Sequence, residues 1–499
     1  MLRKTKIVAT LGPASASREM IARLIIEGVN VVRLNFSHGT ADEQVAKANI
    51  VREIATQLNR PIGILCDLQG PKIRIGKFLT GKINLKTGDL FVLDADCLLG
   101  DQTKVGLDYK MLPQEVSSGM QLLLDDGRIK LKIDAIRGNK IFCVVETGGD
   151  LSNNKGINLQ GGGLAAAALT AKDKQDILTA VELEADYIAI SFPKDAEDIE
   201  FARKLVKQAG GTANIVAKIE RSEAIQHLEA IIHASDAIMV ARGDLGVEVG
   251  DAAVPGLQKR MIRMARAQNK LVITATQMME SMIYNPIPTR AEVSDVANAV
   301  LDGTDAVMLS AETASGQYPL ETVIAMHRVC LEAEKEYENH PKYALEKIDL
   351  IHTDEAIAAA TVYIAQRLEV AAIVALTQSG NAAQWLSRAD CAVPIYALSP
   401  NKVARRQLTL HRNVFPYPID QMGKTRDEIL QEMEKVILEQ QLVKIGDTVI
   451  LTYGEPIGSS RGTNTQKIVR IGENRAAIWM TVIITARWFC WLIYNVVLR

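Results

Sequence analysis

The sequence predicts an α/β protein: a (β/α)8 TIM barrel with an inserted small β-barrel lid domain and a C-terminal α/β domain with a mostly parallel sheet. Three observations carry that prediction. Short β-branched runs alternate eight times with segments of helical period, the pattern of a closed parallel barrel. After the third run, from Gly70 to Gly163, the period switches to strict alternation, as in half-buried antiparallel strands. Beyond Pro341 helix and strand alternate again, with Pro- and Gly-rich turns of their own.

The eight runs read KIVATLG, NVVRLNFS, IGILCDLQG, DYIAISF, NIVAKIE, AIMVARGDLG, LVITATQM and AVMLSAET. They are nearly continuous in apolar residues because strands of a parallel barrel are buried on both faces. Stretches such as SREMIARLIIEG and AEDIEFARKLVKQAGG join them with helical period. Polar residues gather at the C-terminal ends of the runs, the face of such a barrel where active sites sit. Within the insert, KINLKTGDLFVLDA and MQLLLDDGRIKLKIDAI alternate, and Asp126-Gly127 marks a hairpin turn. Gly161-Gly162-Gly163 supplies a flexible return, and an insertion at this face is placed to act as a lid. The expected boundaries are 1–69 and 164–342 for the barrel, 70–163 for the lid, 343–473 for the C-terminal domain and 474–499 for an apolar tail. A chain of 499 residues exceeds one ordinary core, so several domains are expected on length as well.

Charge is nearly balanced, 57 basic against 59 acidic side chains, so no global field directs the chain toward nucleic acid or an anionic membrane. Anions must be bound by local arrangements. The six cysteines are scattered without a CxxC pair, which argues against a disulfide framework and a structural zinc site. The N-terminus, MLRKTKIVAT, lacks the roughly 7–15-residue apolar run of a secretory signal, and a cytoplasmic location is expected. The tail from Arg475 to Arg499 holds three of the four tryptophans. At about 20 apolar residues it is long enough to be considered a membrane span. Arg487 near its middle opposes insertion by about 2.5–3.5 kcal/mol. An added element packed on the protein and a tail foreign to the fold are the other two readings.

Several strand ends carry chemistry. Lys218 and Glu220 are two apart in one strand, so an ammonium and a carboxylate project to the same side. Asp244, in Ala241-Arg242-Gly243-Asp244, ends the neighbouring run, and two carboxylates completed by water and substrate oxygens suit Mg²⁺. The competing reading is a structural Lys218–Glu220 ion pair. Thr276 ends the seventh run, where a hydroxyl can orient a carboxylate or relay a proton through water. Ser310 and Glu312 end the eighth and are placed to support that path. The second run brings Arg33, Asn35, Ser37 and His38, and the third Asp67. An arginine there suits a phosphoryl group in transfer. Asn35, Ser37 and Asp67 are oxygen donors for a second, monovalent cation, and His38 alone reads as a structural histidine. In the C-terminal domain Thr377, Ser379, Gly380, Ser459 and Arg461 lie in loops suited to an anionic effector, with ordinary turn chemistry as the alternative.

Taken together, NFSHG (35–39), GPKIR (70–74), KGIN (155–158), AKIER (217–221), MVARGDLGVE (239–248), TATQMMESM (274–282) and PTRAEVSDVANAVLDGTDAVMLSAET (288–313) resemble the pyruvate kinase family, in order, from about Thr5 to Ile471. The resemblance implies phosphoryl transfer from phosphoenolpyruvate to ADP, giving pyruvate and ATP, in a homotetramer without nucleic-acid partners. It implies that Lys218 stabilises the phosphoryl group in flight and that Glu220 and Asp244 hold Mg²⁺ or Mn²⁺. Gly243, Asp244 and Thr276 become contacts of phosphoenolpyruvate, with Arg33 on its phosphate. Asn35, Phe36, Ser37, His38, Arg74 and Lys155 become the nucleotide-contacting set. Asn35, Ser37, Asp67 and Leu68 become a candidate K⁺ site.

Two stretches depart from the pattern. K⁺-requiring relatives carry Thr-Lys-Gly-Pro-Glu after the third-strand aspartate, where this chain has Leu68-Gln69-Gly70-Pro71-Lys72. Lys72 is expected to supply the charge of the ion, so activity without K⁺ is expected. Around Thr377, Asn381 and Ala382 replace the hydroxyl and basic groups of relatives controlled by fructose bisphosphate, so a weaker or different phosphosugar or nucleotide effector is expected. A metal-dependent, enolate-stabilising lyase or aldolase on the same barrel is a second reading, opposed by Arg33, Arg74, Lys155 and the lid. A non-catalytic paralogue, suggested by the tail alone, is a third.

Overall fold

The structure is a computed structural model, and it describes residues 2–164, 166–339, 352–420, 425–457 and 462–473. Strands β1 (Lys6–Thr10), β2 (Val31–Asn35) and β3 (Gly63–Asp67) come first. The insert follows with β4 (Lys82–Leu85), β5 (Leu90–Asp94), β6 (Lys104–Gly106), β7 (Gln121–Leu124), β8 (Ile129–Arg137), β9 (Lys140–Thr147), β10 (Gly149–Ser152) and β11 (Ile157–Leu159). The chain then returns to β12 (Tyr187–Ile190), β13 (Asn214–Ile219), β14 (Ala237–Ala241), β15 (Leu271–Ala275) and β16 (Ala306–Leu309). These last five and the first three close into one parallel barrel, in the order β1-β16-β15-β14-β13-β12-β3-β2. All eight apolar runs of the sequence are therefore barrel strands.

The barrel is solid. Val8, Val31, Leu65, Tyr187, Val216, Met239, Ile273 and Met308 point into its axis, each at most 2% exposed. Leu410, from a segment far along the chain, joins the same interior cluster and is fully buried. Its neighbour Arg412 donates to Thr5 Oγ1 at 2.7 Å and to the Thr304 carbonyl at 3.2 Å. Leu410–Arg412 thus belongs to the barrel unit, Arg3–Tyr337. Truncating a buried leucine costs about 2–5 kcal/mol according to how far the cavity collapses. Leu410→Ala is expected to lower the midpoint of thermal unfolding by several degrees, and an unchanged midpoint would show that the residue only borders the core.

Helices cover the outside, and their starts are legible in sequence. Thr40 with Glu43, Thr170 with Asp173 and Thr289 with Glu292 each form a reciprocal capping box, satisfying amides that the first turn leaves without helical partners. Asp173 does more: its Oδ1 also accepts from the amide of Gly70 at 3.0 Å, fastening the point where the chain leaves the barrel for the insert.

The insert expected as a small β-barrel consists of two ladders, a six-stranded sheet β11-β7-β8-β9-β5-β6 and a separate pair β10-β4. Both feed one apolar cluster, with Ile83, Leu85 and Leu151 from the pair and Phe91, Leu122, Leu131 and Ile141 from the sheet. Asp125, Asp126 and Gly127 all have positive φ, the left-handed turn that the Asp-Gly signal predicts. The second unit holds β17 (Ala372–Leu376), β18 (Ile395–Ser399), β19 (Val414–Pro418), β20 (Thr448–Tyr453) and β21 (Thr465–Arg470), in the order β19-β18-β17-β20-β21. Its pairs are parallel except β20 with β21, as expected for a mostly parallel sheet. Among the described residues no helix is long and apolar enough to cross a membrane. The tail on which the membrane-span reading rests, 474–499, lies outside the described residues.

Candidate active site

Strand alternation places Lys218 and Glu220 together at the C-terminal end of β13, their charged atoms 2.9 Å apart. Lys218 Nζ also lies 3.2 Å from Asp67 Oδ1, and the Asp67 Oδ2 accepts from Arg33 Nε at 2.7 Å. Arg33 Nη1 in turn donates to Thr10 Oγ1 at 3.0 Å. The mouth of β1, β2, β3 and β13 is thus one buried chain of alternating charge.

Its electrostatics follow from that order. Burial alone would lower the pKa of Lys218, but the fields of Asp67 and Glu220 outweigh it and raise it, so the ammonium keeps its charge. Burial alone would raise Asp67, yet Lys218 and Arg33 pull it below the usual carboxylate range. Glu220 is pushed up to about 7, first by burial and further by the charge of Asp244, against the pull of Lys218. Glu220 Oε2 also accepts from the amide of Phe192 at 2.9 Å, so only part of its charge is balanced by protein groups.

Asp244 does not sit on a strand. It lies in the first turn of the helix Arg242–Val249, which starts as β14 ends. Helix N-termini favour negative charge. Lys72, from the first residues of the insert, places its ammonium 3.1 Å from Asp244 Oδ1 and 3.9 Å from Asp126 Oδ1. The charge expected near the K⁺ donors is therefore delivered to Asp244.

Of the candidate K⁺ donors, Asn35 Oδ1 accepts from the Ser37 amide at 3.0 Å, the Leu68 carbonyl accepts from Ser191 Oγ at 2.7 Å, and Asp67 pairs with two cations while its buried Oδ1 has no hydrogen-bond partner. Glu220 and Asp244 fit a hard divalent ion, two oxygen ligands whose mutual repulsion such an ion would relieve. Among the described residues no group of three or more His, Cys, Asp or Glu gathers to hold a metal, so water and substrate oxygens would complete the shell.

Thr276 follows β15 with φ +67°, a strained conformation for a β-branched residue. Arg242 holds it there: its Nη2 donates to the Thr276 carbonyl at 2.7 Å, and its Nη1 pairs with Asp295 Oδ1 at 2.7 Å. The Thr276 hydroxyl donates to the Ala275 carbonyl at 2.7 Å and accepts from the Gly243 amide at 2.8 Å. Glu312 is buried and accepts from the amides of Ser310 at 2.7 Å and Met279 at 3.3 Å, so its carboxylate ties the β15 and β16 loops together.

Of the expected nucleotide set, Phe36 has its ring in the apolar layer between barrel strands and helices, 3% exposed, leaving only backbone to a ligand. Lys172, absent from the sequence reading, donates to the Phe36 carbonyl at 2.7 Å and pairs with Asp176 at 2.5 Å. Arg74 Nη1 donates to the Asn154 carbonyl at 3.0 Å, beside Lys155, whose ammonium lies 2.6 Å from Asp125 Oδ1. His38 offers its carbonyl to Gln44 Nε2 at 2.7 Å. In the second unit Thr377 Oγ1 accepts from the Gly380 amide at 2.9 Å and Ser379 Oγ from the Asn381 amide at 3.4 Å, which is turn chemistry. Ser459 and Arg461 lie outside the described residues. Ser191, Phe192 and Arg242 went unread as site residues because their signal is tertiary; each acts on a neighbour strand rather than within a motif.

Residues 2–323 match the family model described as pyruvate kinase, barrel domain, and residues 355–469 that described as pyruvate kinase, alpha/beta domain. A pyruvate kinase of Buchnera aphidicola subsp. Acyrthosiphon pisum is 51% identical over 480 residues, covering 94% of this chain and 99% of the relative. Pyruvate kinase II of Salmonella typhimurium is 51% identical over 479 residues, with the same shares covered. A pyruvate kinase of Mycobacterium tuberculosis is 40% identical over 478 residues, covering 95% of this chain and all of the relative.

Proposed function

The chain belongs to the pyruvate kinase family of phosphotransferases, and from that premise we propose how its residues move a phosphoryl group from phosphoenolpyruvate to ADP. The observation that carries the assignment of roles is the Lys218 ammonium, held charged between Asp67 and Glu220 at the barrel mouth. Phosphoryl transfer needs little covalent help, so catalysis rests on positioned positive charge around spread-out oxygens.

Lys218 and Arg33 are the fixed cations of the barrel strands, and they face the phosphoryl group. Gly243 at the start of its helix, with the Thr276 hydroxyl bonded to its amide, faces the carboxylate of phosphoenolpyruvate. Glu220 and Asp244 would hold Mg²⁺, which when bound neutralises charge on phosphate oxygens and orders the substrate. Arg74, Lys155 and Lys172 supply cations toward the nucleotide side, and the backbone of 35–38 lines it. The terminal oxygen of ADP takes the phosphorus, the bond from phosphorus to the enol oxygen breaks, and the enolate left behind gains a proton at carbon. Thr276, through water and with Ser310, organises that last step. Glu312, engaged by two amides, supports the loops rather than the proton path. Neither competing reading gains support: a lyase needs no cationic grip for a nucleotide, and the relatives matched over nearly the full chain are named as kinases.

The direct test is pyruvate formation from phosphoenolpyruvate and ADP, with and without Mg²⁺, and with K⁺ varied at constant ionic strength. Turnover is expected to require Mg²⁺ and to change by no more than about twofold on adding KCl, because Lys72 already brings a fixed charge to the site. A many-fold rise with KCl would overturn the role given to Lys72. Absence of turnover in folded protein would overturn the function itself. A homotetramer and an effector other than fructose bisphosphate, bound through the second unit, complete the proposal.

A further inference from the structure

Ser191 follows β12, is 1% exposed, and carries no motif of its own. Its hydroxyl donates to the Leu68 carbonyl at 2.7 Å. That uses its only proton, so toward Lys218 Nζ, also 2.7 Å away, the oxygen can act only as an acceptor. The Lys218 ammonium therefore has three oxygen neighbours, Ser191 Oγ, Glu220 Oε1 and Asp67 Oδ1, at 2.7, 2.9 and 3.2 Å, and Asp67 Oδ1 is an ion-pair partner that accepts no hydrogen bond. Two are charged and lie on flanking strand ends. The third is neutral, and its direction is fixed by a backbone carbonyl.

Phe192, with φ +56°, turns its amide onto Glu220 Oε2 at 2.9 Å. A non-glycine residue in that conformation is strained and persists only where surroundings impose it. Leu68, which receives the Ser191 proton, stands two residues before Gly70, where the chain departs for the insert. A Cβ at Gly70, φ +66°, would lie 2.6 Å from the Ser191 Cβ, so the two strand ends meet at closest packing. A hydrogen bond and a steric contact therefore lock the root of the insert to the residue that aims the lysine.

We propose that Ser191 is a positioning residue for phosphoryl transfer: its hydroxyl, fixed by the Leu68 carbonyl, aims the Lys218 ammonium. The proposal rests on the reading of Lys218 as the ammonium that meets the phosphoryl group. Lys218 keeps this bond during transfer, and the proton not committed to Ser191 or Glu220 is the one that meets the phosphoryl oxygen.

The experiment is a double-mutant cycle on full-length protein with Ser191→Ala, Lys218→Met and the pair, measured for kcat, for KM of both substrates and for thermal stability. Loss of a hydrogen bond to a charged group predicts about a 10- to 100-fold fall in kcat for Ser191→Ala. KM for ADP should stay within about twofold, since only the reacting ammonium is mis-aimed. In the Lys218→Met background the same change should have no further effect, because the group it aims is gone. Ser191→Thr, which keeps the hydroxyl, should recover most of the activity, and Ser191→Cys, close in size but a weak acceptor, should not. Wild-type kcat in Ser191→Ala, or an equal fold-loss in both backgrounds, would overturn the proposal while leaving Lys218 its role. Retention of activity in Lys218→Met would instead remove the reading on which it rests. If Ser191→Ala does not fold, the contrast between Ser191→Thr and Ser191→Cys decides the matter, and equal activity in those two overturns the proposal.

Discussion

Lys218→Met is expected to lower kcat by roughly a thousandfold while the protein stays folded, the upper range for removing one preorganised donor from a water-poor site. Methionine keeps a chain as long as the lysine stem up to Cε and lacks the charged end, so the comparison isolates the ammonium. The fold tolerates the loss because the charges left behind have other partners. Asp67 keeps Arg33 at 2.7 Å, and Glu220, already pushed up to about 7, takes a proton near neutral pH once the ammonium is gone. The measurement is steady-state pyruvate formation with saturating Mg²⁺, beside a thermal melt of the same preparation. A kcat within tenfold of the parent would show that Arg33 or the divalent ion carries the transferring group, and that Lys218 is a structural partner of Asp67. A collapsed melt would mean that the ion pair holds the barrel mouth together.

What the sequence discloses about this site depends on the range of the interaction. Lys218 and Glu220 are legible because strand geometry puts residues two apart on one side, a local rule that the 2.9 Å contact obeys. The eight strands are legible for a similar reason, since a parallel barrel demands apolar runs in each. Asp67 is legible in part: an aspartate at a strand end reads as a cation ligand, and only the fold shows that Arg33 and Lys218 are the cations beside it. Phe36 is legible in part as well: the motif names the residue, and packing buries its ring and leaves its backbone to a ligand. Ser191 is silent in sequence, one hydroxyl after an apolar run, and gains meaning from two partners 27 and 123 residues away. Lys72 belongs between these cases. Its presence is read from the pattern, but its ammonium lies on Asp244, a choice set by where the insert leaves the barrel.

Asp67→Asn is expected to destabilise the barrel unit by about 3–5 kcal/mol, the cost of removing one partner from a buried ion network. An asparagine can accept with one oxygen only, and its amide nitrogen would face a cation. Either Arg33 or Lys218 would then be left buried against a donor. The pH dependence gives this prediction a second edge. The pKa of Asp67 is held below the ordinary carboxylate value in the folded state, because Lys218 and Arg33 outweigh the effect of burial. Its contribution is therefore fully present above the unfolded value of about 3.9 and is lost as pH falls through the folded one. Urea unfolding of parent and variant from pH 7 downward should show a constant gap until about pH 4, and a gap that narrows below it. A gap already closing between pH 7 and pH 5 would mean that Asp67 shares a proton in the folded state and that the network is not the string of fixed charges on which the function of Lys218 depends. A gap absent at every pH would mean that the two cations find water instead, and that the mouth of the barrel is wetter than its 1% exposure of Asp67 implies.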